Sequence, residues 1–150
     1  MPTIRSATQA DSGEVLTVLR AAFVTEAQLH DDVYMDPLTE SLDDVRRVIE
    51  TGMLFVAVEG HRIVGTARGA ERDGVWLISR VAIVPDRQGA GIGSELLRAV
   101  ESAAPAHVEQ FEIFTGPKSV RNVALYERHG YHQTESPNIL IRLLKKRETT

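Results

Sequence analysis

The sequence contains no cysteine among its 150 residues. Disulfides, thiolate metal sites and a cysteine nucleophile are therefore excluded. No run approaches the roughly twenty apolar residues of a membrane span, and the N-terminal stretch lacks the apolar core of a signal peptide. Positive charge is also in deficit, since the formal net charge is −4, whereas nucleic-acid-binding surfaces are normally basic. We therefore expect a cytoplasmic protein without a membrane or nucleic-acid partner.

Acidic side chains are concentrated in one segment, residues 26–50, which holds eight acidic and two basic residues. Such a segment is commonly a solvated face, but it also produces a negative field that attracts a cationic molecule such as an amine. Length and composition are those of one ordinary globular domain, so we treat residues 1–150 as a single domain.

Hydrophobic periodicity predicts an alternation of strands and helices. A strand begins at Thr3, and the following helix has a capping-box pattern at Asp11 and Glu14 and an apolar stripe that ends at Phe23. Residues 25–37 are expected to be irregular. Later elements are a helix capped by Ser41, strands over 53–58, 62–71 and 75–85, a helix over 94–103, a strand over 107–115, a helix over 119–129, and strands over 131–134 and 139–144. This order predicts an α+β fold with a central mixed, mostly antiparallel sheet of about seven strands and about four helices.

The chain is organised around residues 75–103, where a β-branched and aromatic strand is closed by Pro85 and followed by a glycine-rich turn and a helix. Gly89, Gly91 and Gly93 allow the backbone to turn tightly and to approach a ligand without interference from a Cβ atom. The N-terminus of the following helix presents free N–H groups and the positive end of its dipole. The turn is therefore suited to binding phosphate, although the glycine spacing alone also fits a turn that binds nothing.

Two common phosphate loops do not match this turn. A Walker loop requires lysine before the final serine or threonine, and Ser94 follows a glycine. A dinucleotide fingerprint has the spacing G-x-G-x-x-G at the start of a βαβ unit, whereas this turn has G-x-G-x-G in mid-chain.

The segment 88–93, Gln-Gly-Ala-Gly-Ile-Gly, resembles the Q/R-x-x-G-x-G/A pyrophosphate loop of the GNAT superfamily of N-acetyltransferases. The preceding segment 81–85 resembles that family's fourth strand. A second segment, Asn-Val-Ala-Leu-Tyr-Glu-Arg-His-Gly-Tyr at 122–131, resembles the late helix of the family, which typically ends Leu-Tyr-x-x-x-Gly-Phe/Tyr.

This resemblance implies the GNAT-like acyl-CoA N-acyltransferase fold, with acetyl-CoA as cosubstrate and no metal. It implies that the backbone of 81–83 pairs with pantetheine and that the amides of 88–94 hold the pyrophosphate. Arg87 is either a phosphate contact or a solvated side chain. The implied cofactor-binding residues are Val81, Ala82, Ile83, Arg87, Gln88, Gly89, Ala90, Gly91, Ile92, Gly93, Ser94, Ser119, Asn122 and Tyr126.

Ser119, Asn122 and Tyr126 are spaced to share one face of a helix. In the family this tyrosine sits beside the coenzyme A sulfur, so the resemblance makes Tyr126 the general acid for the departing thiolate. A buried structural tyrosine is the alternative. Many members carry asparagine seven residues before this tyrosine, where this chain has Ser119. Either Ser119 or Asn122 then contacts the pantetheine arm.

Four residues are candidates for contact with the acceptor. Glu26, His30, Asp31 and Tyr34 lie in the region that usually walls the acceptor site in the family. The sequence does not identify the general base. The candidates are Glu26, His30, Asp31, Asp32, Glu71 and Ser79. The run His30, Asp31 and Asp32 lacks a third ligand at a regular spacing, so we expect no metal site there.

The resemblance implies an N-acetyltransferase that moves an acetyl group from acetyl-CoA to a primary amine. The acidic segment favours a small cationic acceptor, and a peptide acceptor stays open. The alternative is a non-catalytic acyl-CoA-binding regulatory or interaction domain. A nucleotide hydrolase is disfavoured because the required lysine and magnesium-binding carboxylates are missing. Dimers are common in the family, so a homodimer also stays open.

Overall fold

The structure, a computed structural model, describes residues 2–32 and 34–148. Seven strands form one sheet in the order β1-β2-β3-β4-β5-β7-β6, and all neighbours are antiparallel except β4 and β5. The strands are β1 (Thr3–Ser6), β2 (Leu54–Glu59), β3 (Arg62–Arg72), β4 (Val75–Ile83), β5 (Gln110–Thr115), β6 (His132–Thr134) and β7 (Ile141–Lys146). The helices are α1 (Ser12–His30), α2 (Asp36–Thr39), α3 (Leu42–Glu50), α4 (Ile92–Ala103) and α5 (Val120–Arg128). The predicted α+β class and mixed seven-stranded sheet are confirmed, and the fifth helix is the four-residue α2.

The core forms where two helices cover the sheet. Helix α1 packs against β3 and β4 as well as α3, and α4 packs against β2, β3 and β4. Leu19, Ile78 and Leu96 are among the fully buried side chains of this core. The indole N–H of Trp76 donates to the carbonyl of Val100 at 3.0 Å, which fixes α4 relative to β4 without leaving a buried polar atom unpaired.

Helix α1 is longer than predicted. The segment from Thr25 was expected to be irregular, but the helix continues to His30 and ends where Asp31 adopts the left-handed conformation, with φ of 51°. Ala27 in this extension is buried. The apolar stripe weakens after Phe23, so the last turns depend on tertiary contacts that the local pattern does not contain.

The capping box predicted from Asp11 and Glu14 is wrong. The Asp11 carboxylate instead accepts the Thr8 backbone N–H at 2.7 Å and pairs with Arg5, also at 2.7 Å. The Glu14 carboxylate accepts the backbone N–H of Ile63 at 2.7 Å. Asp11 therefore caps the short 3-10 turn Gln9–Asp11 before α1 and pairs with β1, and Glu14 binds β3, so the two do not form a box at the start of α1. The predicted cap of α3 is confirmed, because Ser41 and Asp44 bond each other's backbone N–H groups at 3.1 and 2.9 Å.

Strands β4 and β5 separate partway along their length. They pair only over three residues of each, Trp76–Ile78 with Phe111–Ile113, so β4 has no partner in β5 beyond Ile78. On the other edge of β4, Arg80 and Val81 lie opposite the single residue Ala67 of β3, which is a β-bulge. Arg80 has a φ of 53°. The far end of β4 therefore carries unpaired backbone groups beside a gap in the sheet.

Several boundaries differ slightly from the prediction. Strand β5 begins at Gln110 rather than at residue 107, and β7 runs two residues past Leu144. The predicted hairpin turn at Asp73 and Gly74 is confirmed, with φ of 54° and 81°. In the described part of the chain, no helix combines the length and apolar character needed to cross a membrane.

Candidate functional site

A cleft of about 520 Å³ lies beside the unpaired end of β4. The second half of α1, the loop after β4, the start of α4 and much of α5 form its other walls. The cofactor-binding residues predicted from the sequence that line it are Val81, Ala82, Ile83, Arg87, Gln88, Gly89, Gly91, Ile92, Gly93, Ser94, Ser119 and Asn122. Two predicted residues, Ala90 and Tyr126, do not line this cleft.

The three glycines of the loop differ in their physical role. Gly89 and Gly91 have φ of 82° and 83°, a left-handed conformation that only glycine adopts without strain. Gly91 is also the N-cap of α4. At Gly93 a Cβ atom would come to 3.3 Å from Leu125, so glycine allows α4 and α5 to approach closely. The turn thus directs the first N–H groups of α4 toward the cleft, where an anion is favoured.

Three basic side chains of the cleft were missed by the sequence analysis. Lys118, Arg121 and Arg128 all line it, and among the described residues no carboxylate lies within 4.0 Å of any of them. Their positions around the start and the end of α5 were visible in the sequence, but the facing of that helix toward the loop was not. Together they make the cleft positively charged, although the carboxylate of Glu26 also lines it.

Arg87 has a different environment. Its guanidinium forms two hydrogen bonds to the Glu59 carboxylate, of 2.7 and 2.8 Å, and these raise the pKa of Arg87. The same contact lowers the pKa of Glu59. Arg87 therefore lines the cleft with its charge already partnered, which makes it a weaker phosphate contact than the sequence suggested.

Tyr126 is buried in α5, with 4% of its surface exposed. Its ring packs edge-on against Tyr131, with the centroids 6.2 Å apart. Burial raises the pKa of the Tyr126 phenol well above its usual value, and the negative charge of Glu26 adds to the effect. The hydroxyl therefore remains protonated across the neutral and moderately alkaline range.

Ser119 and Asn122 both line the cleft, and both are already hydrogen-bonded within the protein. Ser119 occupies the N-cap position of α5, but its hydroxyl caps no helix N–H and donates instead to the Glu26 carboxylate. The Asn122 amide donates to the Thr115 hydroxyl at 3.3 Å. The choice between these two residues for the pantetheine arm stays a prediction.

Of the four residues predicted for the acceptor side, only Glu26 lines the cleft. The His30 ring donates from Nδ1 to the Glu26 carbonyl at 2.9 Å and accepts the Lys118 backbone N–H at Nε2 at 3.0 Å. These two bonds require the neutral ring and occupy both nitrogens. Asp31 is exposed at the end of α1, and Tyr34 is 81% exposed; the latter follows Val33, which lies outside the described residues.

Ser94 at the start of α4 has a partner that the sequence did not indicate. Its hydroxyl bonds Nε2 of His129 at 2.8 Å, which links the loop to the end of α5. Burial lowers the pKa of His129, and the charge of Arg98 acts in the same direction. Both effects favour the neutral form of the ring.

Comparison with known proteins matches the family model for the acetyltransferase (GNAT) domain to residues 50–133, more than half of the chain. That range includes β4, the glycine loop, α4 and all of α5. The chain is 25% identical over 113 residues to the N-acetyltransferase YjcF of Bacillus subtilis, an uncharacterized protein, and the match covers 75% of this chain and 77% of that protein.

Solved structures share the fold. The PaiA N-acetyltransferase of Thermoplasma acidophilum, solved in complex with coenzyme A, is similar with a TM-score of 0.83 at 13% identity over 98% of this chain and 99% of that one. YncA of Salmonella typhimurium, a putative acetyltransferase solved with acetyl-CoA, gives a TM-score of 0.76 at 19% identity over 100% of this chain and 96% of that one. The fold predicted from the sequence is confirmed by these likenesses.

Proposed function

The chain belongs to the GNAT acetyltransferase family, and from that premise we propose that it transfers the acetyl group of acetyl-CoA to a primary amine. The observation that carries the proposal is the composition of one cleft. An unpaired strand edge, a left-handed glycine turn at a helix N-terminus and three basic side chains that pair with no carboxylate among residues 2–32 and 34–148 face the same space. Acetyl-CoA has the complementary groups, namely an arm with two amides, a pyrophosphate and a further phosphate.

The donor is proposed to bind in an extended form along this cleft. The free backbone groups of β4 at 81–83 pair with the pantetheine amides as an added strand would. The N–H groups of 88–94 surround the pyrophosphate. Lys118, Arg121 and Arg128 add charge-assisted contacts to phosphate oxygens, and Arg87 keeps its bond to Glu59.

The transfer is proposed to be direct. The amine attacks the thioester carbonyl, which the Val81 backbone N–H polarises, and coenzyme A leaves as a thiolate. Tyr126 donates its proton to that sulfur. Support for this role comes from the raised pKa, which keeps the phenol protonated, and from the position of Tyr126 on α5 one turn after the cleft residue Asn122.

The acceptor is proposed to be a small cationic amine. In the acidic segment, Glu40, Asp43 and Asp44 pair with arginines. Asp31, Asp32 and Asp36 have no basic side chain within 4.0 Å among residues 2–32 and 34–148. These three carboxylates supply a negative field near the end of α1 that favours an ammonium group.

The test is release of free thiol from acetyl-CoA, followed with a chromogenic disulfide reagent. Ethylamine, putrescine, spermidine and a lysine-containing peptide serve as acceptors, and mass spectrometry of the amine checks for the added acetyl group. Amine-dependent thiol release with an acetylated product supports the proposal, and faster reaction of putrescine or spermidine than of the peptide supports a small cationic acceptor. Binding of acetyl-CoA without turnover of any amine would favour the non-catalytic acyl-CoA-binding domain instead.

A further inference from the structure

Glu26 connects the cleft wall on α1 to the start of α5. We propose that its carboxylate is the general base that takes the proton of the acceptor ammonium, an assignment that rests on the proposed acetyl transfer. Glu26 lines the cleft, and 21% of its side chain is exposed. It is therefore open to a ligand on one side and held by the protein on the other.

The two oxygens of this carboxylate have different environments. Oε2 accepts the Ser119 hydroxyl hydrogen bond. Oε1 accepts no hydrogen bond from the described residues, although the side chain borders the cleft. One oxygen is therefore fixed in place and the other is free to receive a proton, which is the geometry a positioned base requires.

Ser119 bonds Glu26 and therefore does not cap its own helix. Ser119 is at the N-cap of α5, where its hydroxyl would ordinarily accept a helix N–H. A helix that lacks its N-cap bond is less stable. Ser119 is buried and donates across to α1 instead. The Ser119 hydroxyl thus orients Glu26 and leaves α5 without a side-chain cap. Such a local loss of stability is common at functional sites.

The other residues considered for the base are less suitable. His30 has both ring nitrogens occupied. Asp31 and Asp32 are exposed and do not line the cleft. The Glu71 carboxylate bonds the His107 ring at 2.9 Å, and Ser79 is not part of the cleft. Among the titratable residues named from the sequence for this role, Glu26 alone borders the space in which transfer would occur.

Glu26 also acts on Tyr126 through its charge. The carboxylate contributes to the raised pKa of the phenol. When Glu26 accepts a proton its charge disappears, so this contribution to the pKa of Tyr126 disappears as well. Deprotonation of the amine by Glu26 thus makes Tyr126 a stronger acid before the thiolate leaves.

The bonds and protons of the acetyl transfer are all accounted for. An N–H bond of the ammonium breaks, its proton goes to Oε1 of Glu26, and the nitrogen lone pair forms the bond to the acetyl carbon. The C–S bond breaks, its electron pair stays on sulfur, and sulfur takes the proton of Tyr126. The second proton lost by nitrogen returns to the Tyr126 oxygen through solvent, and Glu26 releases its proton to water. The net reaction forms one amide and one thiol and releases one proton.

The experiment compares two nearly isosteric amines at pH 7. Ethylamine is an alkylamine like the lysine side chain, with a pKa of about 10, and is protonated. In 2,2,2-trifluoroethylamine the fluorines withdraw electrons, so this amine is already neutral. We expect Glu26→Gln to lower kcat/KM for ethylamine about a hundredfold or more and to change that for trifluoroethylamine by less than about threefold. Protein-free reactions supply the background.

Three controls separate a chemical from a structural role. Glu135→Gln makes the same chemical change at an exposed carboxylate that does not line the cleft, and should leave both amines unaffected. Thermal stabilisation by coenzyme A should be the same in Glu26→Gln and the wild type. Glu26→Asp keeps the carboxylate and should restore part of the ethylamine rate. It also serves as the second variant if Glu26→Gln does not melt cooperatively.

Three other outcomes would contradict the assignment of Glu26 as the general base. An equal loss for both amines with normal coenzyme A binding would make Glu26 a positioning residue only. No loss for either amine would exclude it as a base. If the wild type turns over neither these amines nor putrescine, spermidine or the peptide, the proposed function itself fails. An inactive wild type can be told apart from a failure of the Glu26 assignment, because it is observed before any residue is substituted.

Discussion

The Nε2 atom of His30 accepts a hydrogen bond of 3.0 Å from the backbone N–H of Lys118, which joins the last turn of α1 to the loop between β5 and α5. The loop can approach because residue 116 is glycine: a Cβ atom there would overlap the His30 ring. The Ser119 bond to Glu26 lies in the same contact. The walls of the cleft are therefore held together by a few specific polar contacts.

Gly116→Ala is expected to destabilise the fold by about 1–3 kcal/mol, because the new methyl group displaces the His30 ring. Gly13→Ala is the matched control. Gly13 lies in the first turn of α1 with open space around its Cα, so alanine there should stabilise by about 0.4–1 kcal/mol. Urea unfolding measures both, and equal effects of the two substitutions would contradict the tight contact at Gly116.

Tyr126→Phe should lower kcat about a hundredfold or more, since the thiolate then leaves without an acid. Binding of coenzyme A, measured by thermal shift, should persist. Tyr131→Phe is the control, because this second buried phenol bonds Glu101 at 2.6 Å, outside the cleft. A variant Tyr126→Phe that retains the wild-type kcat would remove the tyrosine from the mechanism.

The pH dependence of kcat follows from the raised pKa of Tyr126. An acid acts in its protonated form, and a pKa above the ordinary value near 10 keeps that form dominant. We therefore expect no alkaline decline of kcat up to about pH 10, as far as the protein remains folded. Steady-state rates at saturating substrates check this. A decline centred at or below about pH 10 that Tyr126→Phe abolishes would mean that the pKa of the phenol is not raised.

Glu40→Gln should be strongly destabilising. The Glu40 carboxylate is buried, accepts bonds of 2.5 and 3.1 Å from Arg68 and lies 3.6 Å from Arg80. Removing its charge leaves two guanidinium groups facing each other, for which about 3–5 kcal/mol is typical. Asp43→Asn is the control, because Asp43 is 79% exposed and 3.8 Å from Arg46.

That control should change the free energy of unfolding by less than about 0.5 kcal/mol. A comparable loss of stability in both variants would show that the buried cluster contributes no more than a surface pair.

The local elements could be predicted from sequence, and the contacts between them could not. The β-branched runs, the turn at Asp73 and Gly74 and the glycine loop are short-range signals, and each appears where expected. The end of α1 depends on its contact with Lys118, 88 residues away. The pairing of Arg87 with Glu59 joins residues 28 apart. Neither contact produces a periodic pattern in the sequence from which it could be predicted.

The same distinction applies to the cleft. The loop 88–94 is found by its motif because its left-handed turn needs glycine at fixed positions. Lys118, Arg121 and Arg128 are ordinary basic residues, and they line the cleft only because α5 and the loop before it pack against the glycine turn. Tyr126 was predicted by resemblance, but its burial and the charge of Glu26 beside it became apparent only from the folded arrangement.

The most direct test of the donor site is a thermal-shift titration of the purified protein with acetyl-CoA, with coenzyme A and ATP in parallel. A ligand at about 100 times its dissociation constant adds about 2.7 kcal/mol to the free energy of unfolding. The account predicts a saturating rise in Tm with acetyl-CoA and with coenzyme A, and none with ATP. No rise with any of the three would mean that the turn at Gly89 and Gly91 is purely structural, and the acetyltransferase proposal would be contradicted.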